Sequence, residues 1–165
     1  MINYRYPFNH VGVSVTDLEK AIDFYRKVFG LRLIMGPAGI KADDTGIGEL
    51  CIDIFGSRMK HFRIAHMTTA DGVGIELFEF KDPAAERREN NFEYWKTGIF
   101  HMAFTSSNLE ESMKKVEKNG GKVRSKIWEV FPGCRLLYCE DPFGNIFEFY
   151  DCTYAEMYAN REKYS

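Results

Sequence analysis

Apolar and polar residues alternate without a break from His10 to Val15: Val11, Val13 and Val15 share one parity, His10, Gly12 and Ser14 the other. A period of two marks a strand with one face on a core, so the histidine looks away from that core. The period then changes. Asp17 is placed to cap a helix, and Leu18, Ala21, Ile22, Tyr25 and Phe29 follow at helical spacing until Gly30 ends the run. A second stretch repeats this grammar, with Met102 and Phe104 alternating against His101, Ala103 and Thr105, Asn108 as cap, and Leu109, Met113 and Val116 as the stripe before Gly120 and Gly121. Shifted by 91 positions, His10 falls on His101, Asp17 on Asn108, Glu19 on Glu110 and Gly30 on Gly121. An internal repeat of this kind predicts two similar halves.

The remaining pattern fills in each half. Residues 31–34 read as a short strand and 35–48 as a Gly-rich loop carrying Asp43 and Asp44. The runs LCIDIF (50–55), HFRIAHM (61–67) and VGIELFEF (73–80) read as strands, the last introduced by a turn at Asp71 and Gly72. In the second half KVRSKIWEV (122–130), CRLLYC (134–139) and NIFEFYD (145–151) read as strands, with EDPFGN as a tight turn. The expected class is therefore α+β, two βαβββ modules in a single domain over 1–165. Module one covers 8–80, a charged connector 81–98, module two 99–151, and a C-terminal helix 153–164 places Tyr154, Met157 and Tyr158 on one side, to pack on a sheet or a partner chain.

Composition narrows the function classes. A chain of 165 residues, 45% apolar and 15% aromatic, is long enough to bury roughly two-thirds of its unfolded surface. A formal charge of -2 without a dense basic run argues against nucleic acid as the partner. No apolar stretch approaches the roughly 20 residues that span a bilayer, and MINYRYPFNH has no signal-like apolar core, so no membrane and a cytoplasmic location are expected. Cys51, Cys134, Cys139 and Cys152 lack zinc-site spacing and are read as reduced, partly buried thiols.

The candidate chemistry lies on the face opposite the core. Glu76 and Glu148 each stand four residues after a turn glycine, Gly72 and Gly144. Ile75 and Leu77 flank the first, Phe147 and Phe149 the second, so parity sends both carboxylates to the face that carries His10 and His101. An ionised carboxylate facing a sheet-lined concavity is costly unless paired or coordinated. Two imidazoles with two carboxylates suit a divalent metal ion (zinc, nickel, manganese, cobalt or iron) and leave octahedral positions open for water or substrate oxygens. Glu79 has the wrong parity for this set. His61 and His66 belong to the first half only and are read as ordinary residues or cavity lining. Phe92, Tyr94, Trp95, Phe100 and Trp128 line an apolar pocket or pack as core.

HVGVSVTDLEKAIDFYRKVFGL, the GIEL of 74–77 and DPFGNIFEFYD together resemble the vicinal oxygen chelate superfamily, whose members include glyoxalases, methylmalonyl-CoA epimerases, extradiol dioxygenases and bleomycin or fosfomycin resistance proteins. The resemblance covers nearly all of 8–151 and implies βαβββ modules forming a U-shaped mixed sheet around a metal-binding cleft, with His10, Glu76, His101 and Glu148 at the ligand positions. From histidine to glutamate the first module runs 66 positions and the second 47, so extra length within 35–71 is expected to shape the substrate mouth.

The resemblance is nearest to glyoxalase I-like, lactoylglutathione lyase-related members. It implies a lyase or isomerase that moves a proton through a metal-bound enediolate of a small vicinal-oxygen substrate, with Glu148 the first choice of base and Glu76 its counterpart. A ferrous extradiol ring-cleaving dioxygenase is the alternative, against which Glu76 counts, and an antibiotic-sequestering resistance protein comes third. Related bacterial lactoylglutathione lyases carry on the first strand an arginine that holds glutathione; Ser14 stands there in this chain. The implied partners are a small-molecule substrate and a second copy in a homodimer.

Overall fold

The computed structural model describes residues 6–159, which fall into two compact units divided between Arg87 and Arg88. The first unit is built from β1 His10–Ser14, α1 Leu18–Phe29, β2 Arg32–Lys41, α2 Gly46–Phe55, β3 His61–Thr68 and β4 Gly74–Asp82. Its sheet runs β1-β4-β3-β2, with β1 parallel to β4 and the other pairs antiparallel.

Helix α1 starts where the sequence places it: the Asp17 carboxylate accepts the Lys20 N–H. It ends at Gly30, whose φ of 71° only glycine adopts without strain. Leu18, Ala21, Phe24, Tyr25 and Val28 are buried where α1 packs on the sheet, and Val13, Ala65, Met67, Ile75 and Leu77 are buried with them. Each such large apolar side chain contributes about 1.5–3 kcal/mol on burial. The opposite sheet face is left for His10 and Glu76.

Two expectations in this unit are corrected. Residues 50–55 are not a strand but the C-terminal part of α2, and the strand expected at 31–34 continues as β2 to Lys41. The run LCIDIF satisfies either period. Local capping decides for the helix: the Asp43 carboxylate accepts from the Thr45 N–H and hydroxyl, and Thr45 Oγ1 accepts from the Gly48 N–H. Gly48 is needed there, since a Cβ would lie 2.2 Å from Asp43 Oδ1. Cys51 then faces inward, joining Met59, Phe62 and Ile64 in a buried cluster against which Phe78 and Phe80 pack, and the exposed Phe55, one turn later, lays its ring on those of Phe62, Phe78 and Phe80.

The second unit holds β5 Met102–Thr105, α3 Leu109–Lys118, β6 Lys122–Val123, β7 Trp128–Phe131, β8 Cys134–Glu140, β9 Ile146–Tyr150 and α4 Tyr154–Tyr158. The order is β5-β9-β8-β6, β5 parallel to β9, with β7 also on β8. The strand expected over 122–130 is split, because Arg124 and Ser125 both donate their N–H to the Tyr138 carbonyl while Ser125 Oγ takes the Tyr138 N–H. Asn108 caps α3, and Asp141 Oδ1 ties the turn before β9 by accepting the N–H of Phe143 and Asn145. No helix or strand is assigned among the described residues between Asp82 and Met102. Of the expected C-terminal helix, α4 supplies five residues, and 160–164 lie outside the described residues. Met157 is fully buried with Cys134 and Tyr150. All four cysteines are free; burial pushes the Cys139 thiol up to about 12, and burial with a hydrogen bond to Cys134 pushes Cys152 up to about 11.

The repeat reaches the salt bridges. Arg63 of β3 donates to Glu19 of α1 and to Glu79 of β4, and Arg135 of β8 donates to Glu110 of α3 and to Asp151 just past β9. Each arginine clasps its helix to its sheet on the core side, which is where the parity of Glu79 places it.

Candidate metal-binding pairs

In the first unit the strands fix two imidazoles around one carboxylate. Parallel pairing sets His10 beside Gly74 and Gly12 beside Glu76, and antiparallel pairing sets His66 directly across from Glu76, on the same sheet face. His10 Nε2 lies 3.5 Å from Glu76 Oε2 and His66 Nδ1 lies 3.3 Å from Glu76 Oε1. His10 Nδ1 is 2.7 Å from Asn9 Oδ1, which orients the ring. Gly74 makes the approach possible, since a Cβ there would stand 2.9 Å from the His10 Cβ. The Glu76 side chain is 25% exposed and that of His10 48%, so the face is reachable by solutes.

In the second unit His101, just ahead of β5, places Nε2 2.9 Å from Glu148 Oε2, and the Glu148 side chain is only 4% exposed. Tyr138 stands across from Glu148 in the β8–β9 pair, with its phenol near that carboxylate. Burial first, and then this nearby anion, raises the Tyr138 pKa well above that of an ordinary phenol. The His101 ring is gripped edge-on by Phe100 and Tyr138, each with its centroid 5.3 Å away, and its Nδ1 is buried without a hydrogen-bond partner. Phe92 extends this packing to Phe100 and Tyr138, whereas Tyr94, Trp95 and Trp128 are exposed.

The structure thus brings His10 to Glu76 and His101 to Glu148. Among the described residues no group of three or more His, Cys, Asp or Glu side chains converges closely enough to hold a metal ion. His66, expected as an ordinary residue or cavity lining, and Tyr138, unmarked by the strand pattern, stand across from the two glutamates. The signal for both was hairpin register: each lies three residues before its turn, bounded by Thr69 and Val73 or by Asp141 and Asn145, and each glutamate lies three residues after it.

The donors fit a divalent ion of intermediate softness, each unit offering an imidazole nitrogen beside a carboxylate oxygen. The buried Glu148 and the close approach that Gly74 permits are the observations that favour it, since a carboxylate so far from water requires a cationic or hydrogen-bonding partner.

The profile of the Glyoxalase/Bleomycin resistance protein/Dioxygenase superfamily matches residues 8–149, and the chain belongs to that superfamily. Its curated relatives include the lactoylglutathione lyase of Escherichia coli O157:H7, 24% identical over 136 residues that cover 82% of this chain and 84% of that protein. The lactoylglutathione lyase of Schizosaccharomyces pombe is 26% identical over 127 residues, 74% of this chain, which spans only 40% of that enzyme's length. Among solved structures, a glyoxalase family protein from Bacillus cereus aligns with a TM-score of 0.75 at 23% identity, covering 90% of this chain and 95% of that one. A fosfomycin resistance protein from Listeria monocytogenes aligns at 0.59 and 18% identity, covering 95% and 97%. These likenesses establish the glyoxalase fold. No described helix is long and apolar enough to cross a membrane.

Proposed function

We propose that this protein is a metal-dependent lyase or isomerase of the glyoxalase type, acting on a small substrate with two vicinal oxygens. The ligands are His10, Glu76, His101 and Glu148, and Glu148 is the base, with Glu76 its counterpart. The observation that carries the reading is the recurrence of one pair, an imidazole on or just ahead of one strand beside a carboxylate on its parallel neighbour, in both units. A bound divalent ion supplies Lewis acidity toward the two substrate oxygens. Glu148 takes and returns the carbon-bound proton, a task for which a positioned base contributes roughly 10²–10⁴-fold. Tyr138 and His101 hold its carboxylate, and the packing of Phe92 and Phe100 beside them keeps bulk water from that side.

Titration of chelator-treated protein with zinc, nickel, manganese, cobalt and ferrous ions is expected to show about one ion per chain. Deuterium exchange of α-hydroxycarbonyl, hemithioacetal or acyl-CoA compounds, followed by NMR, then tests the chemistry. Glu148→Gln keeps an oxygen ligand but not a base, so metal is expected to stay largely bound while exchange falls. Exchange as fast as in the parent would remove Glu148 from the role. Oxygen uptake with catechols and ferrous ion, in a protein that exchanges none of these compounds, would replace the isomerase by a ring-cleaving dioxygenase.

A further inference from the structure

We infer that His66 is a positioning residue for Glu76: it occupies the carboxylate oxygen that His10 leaves free and so aims the other toward a metal ion. The inference rests on the metal-site reading above and adds a residue to it. The two imidazoles approach different oxygens of the same carboxylate, Nε2 of His10 at 3.5 Å from Oε2 and Nδ1 of His66 at 3.3 Å from Oε1. A third ligand would share the ion with Oε2; a positioning group takes the oxygen that points away from it. A carboxylate held at one oxygen loses the freedom to rotate about its terminal bond, which is how outer partners of metal ligands act.

The second unit supports this assignment independently. Tyr138 holds the register position there that His66 holds in the first, across from its own glutamate. A phenol at neutral pH is a donor rather than a metal ligand. Two chemically different side chains at one place in the repeat share one capability, donation of a hydrogen bond to the carboxylate. His61, on the same strand, has no such counterpart, being paired with Asp82 at the far end.

The test uses the full chain and Mn²⁺, with free ion counted by its electron paramagnetic resonance signal. His66→Asn keeps a donor nitrogen at the same number of bonds from Cα as Nδ1, whereas His66→Leu fills the space with no donor. His66→Leu is expected to weaken Mn²⁺ binding about 10- to 100-fold at an unchanged melting temperature in chelator, and His66→Asn to bind within a few-fold of the parent. The number of imidazoles seen by the ion, read from nitrogen spin-echo modulation, is expected to be equal in parent and His66→Asn. Leu and Asn variants that both bind like the parent would overturn the inference alone. A drop in the imidazole count in His66→Asn would overturn it too, by making His66 a ligand. A parent chain that binds no Mn²⁺, zinc or nickel would remove the metal site itself and the inference with it.

Discussion

Glu76 and Glu148 hold the same place in two copies of one motif, yet the first is shared by two imidazoles on a partly open face and the second is sealed under one imidazole and a phenol. Their side-chain exposures, 25% and 4%, make the difference one of solvation. A carboxylate that keeps water can lose a protein partner and replace it. One that has lost water depends on each partner that remains. The repeat therefore conserves direction and register but not energetic tolerance, and the second unit is the less forgiving half.

The covers of the two faces differ as well. Two residues past each glutamate stands an aromatic side chain, Phe78 or Tyr150. In the first unit α2, an insertion within the module, lays Phe55 against Phe78. In the second, α4 follows the module, burying Met157 with Tyr150 and bringing Tyr158 Oη to 3.3 Å from Tyr150 Oη. Unrelated segments thus close the same position of the repeat.

The sharpest way to break the comparison is to remove the histidines one at a time. His101→Ala leaves Glu148 buried with Tyr138 as its remaining named partner and is expected to cost about 1–3 kcal/mol of stability, the scale for a buried polar group that loses a partner. His10→Ala leaves Glu76 with His66 and water, and less than about 1 kcal/mol is expected. Urea unfolding in chelator measures both without any contribution from metal. Equal costs would mean that the difference in burial between the two carboxylates carries no energetic weight.

Gly74→Ala sharpens the comparison from the other side. His10 leans over Gly74, whereas the corresponding neighbour in the second unit is Ile146, next to Phe147 in the β5–β9 register. The added Cβ would sit 2.9 Å from the His10 Cβ, so the ring must move away from Glu76 while α1 and the core stay in place. Metal affinity is expected to fall about tenfold with a melting temperature close to the parent's. Unchanged affinity would show that His10 does not need its present approach.

How much of this was legible in the chain depends on the range over which each signal acts. The caps at Asp17 and Asn108 and the parity of His10, Glu76, His101 and Glu148 are local, and the structure agrees with each; the helical stripes agree in part, since α1 buries Phe24 and Val28 and leaves Ile22 and Phe29 half-buried, and α3 buries Ser112 and leaves Met113 half-buried. LCIDIF was misread because its apolar residues fit both periods, and the deciding bonds come from Asp43 and Thr45, outside the run. The pairing of His66 and Tyr138 with the two glutamates was not legible, because a partner across a hairpin follows from counting through the turn, not from periodicity within one strand. The neighbours Cys134 and Cys152 were missed for a similar reason: they meet only once the chain has passed through β9 and turned toward α4.

The smallest effect separates the two arginine clasps by pH. Burial alone would raise the Asp151 pKa, but the backbone N–H and guanidinium of Arg135 more than reverse this and hold it below the usual aspartate value. The Arg63 guanidinium likewise holds Glu19 below the usual glutamate value, against a small opposing effect of burial. A carboxylate whose folded pKa is depressed contributes stability above its unfolded pKa, about 4, and loses it as pH falls through the folded value. Asp151→Asn is therefore expected to cost on the order of 1 kcal/mol near pH 7, and Glu19→Gln less, because its side chain is 62% exposed and its pair is screened by solvent. Urea midpoints followed from pH 7 to pH 3 are expected to converge between parent and each variant below about pH 4. A gap for Asp151→Asn that stays constant down to pH 3 would show that the asparagine disturbs packing at the end of β9, and that the charge on Asp151 contributes nothing to holding β8 against it.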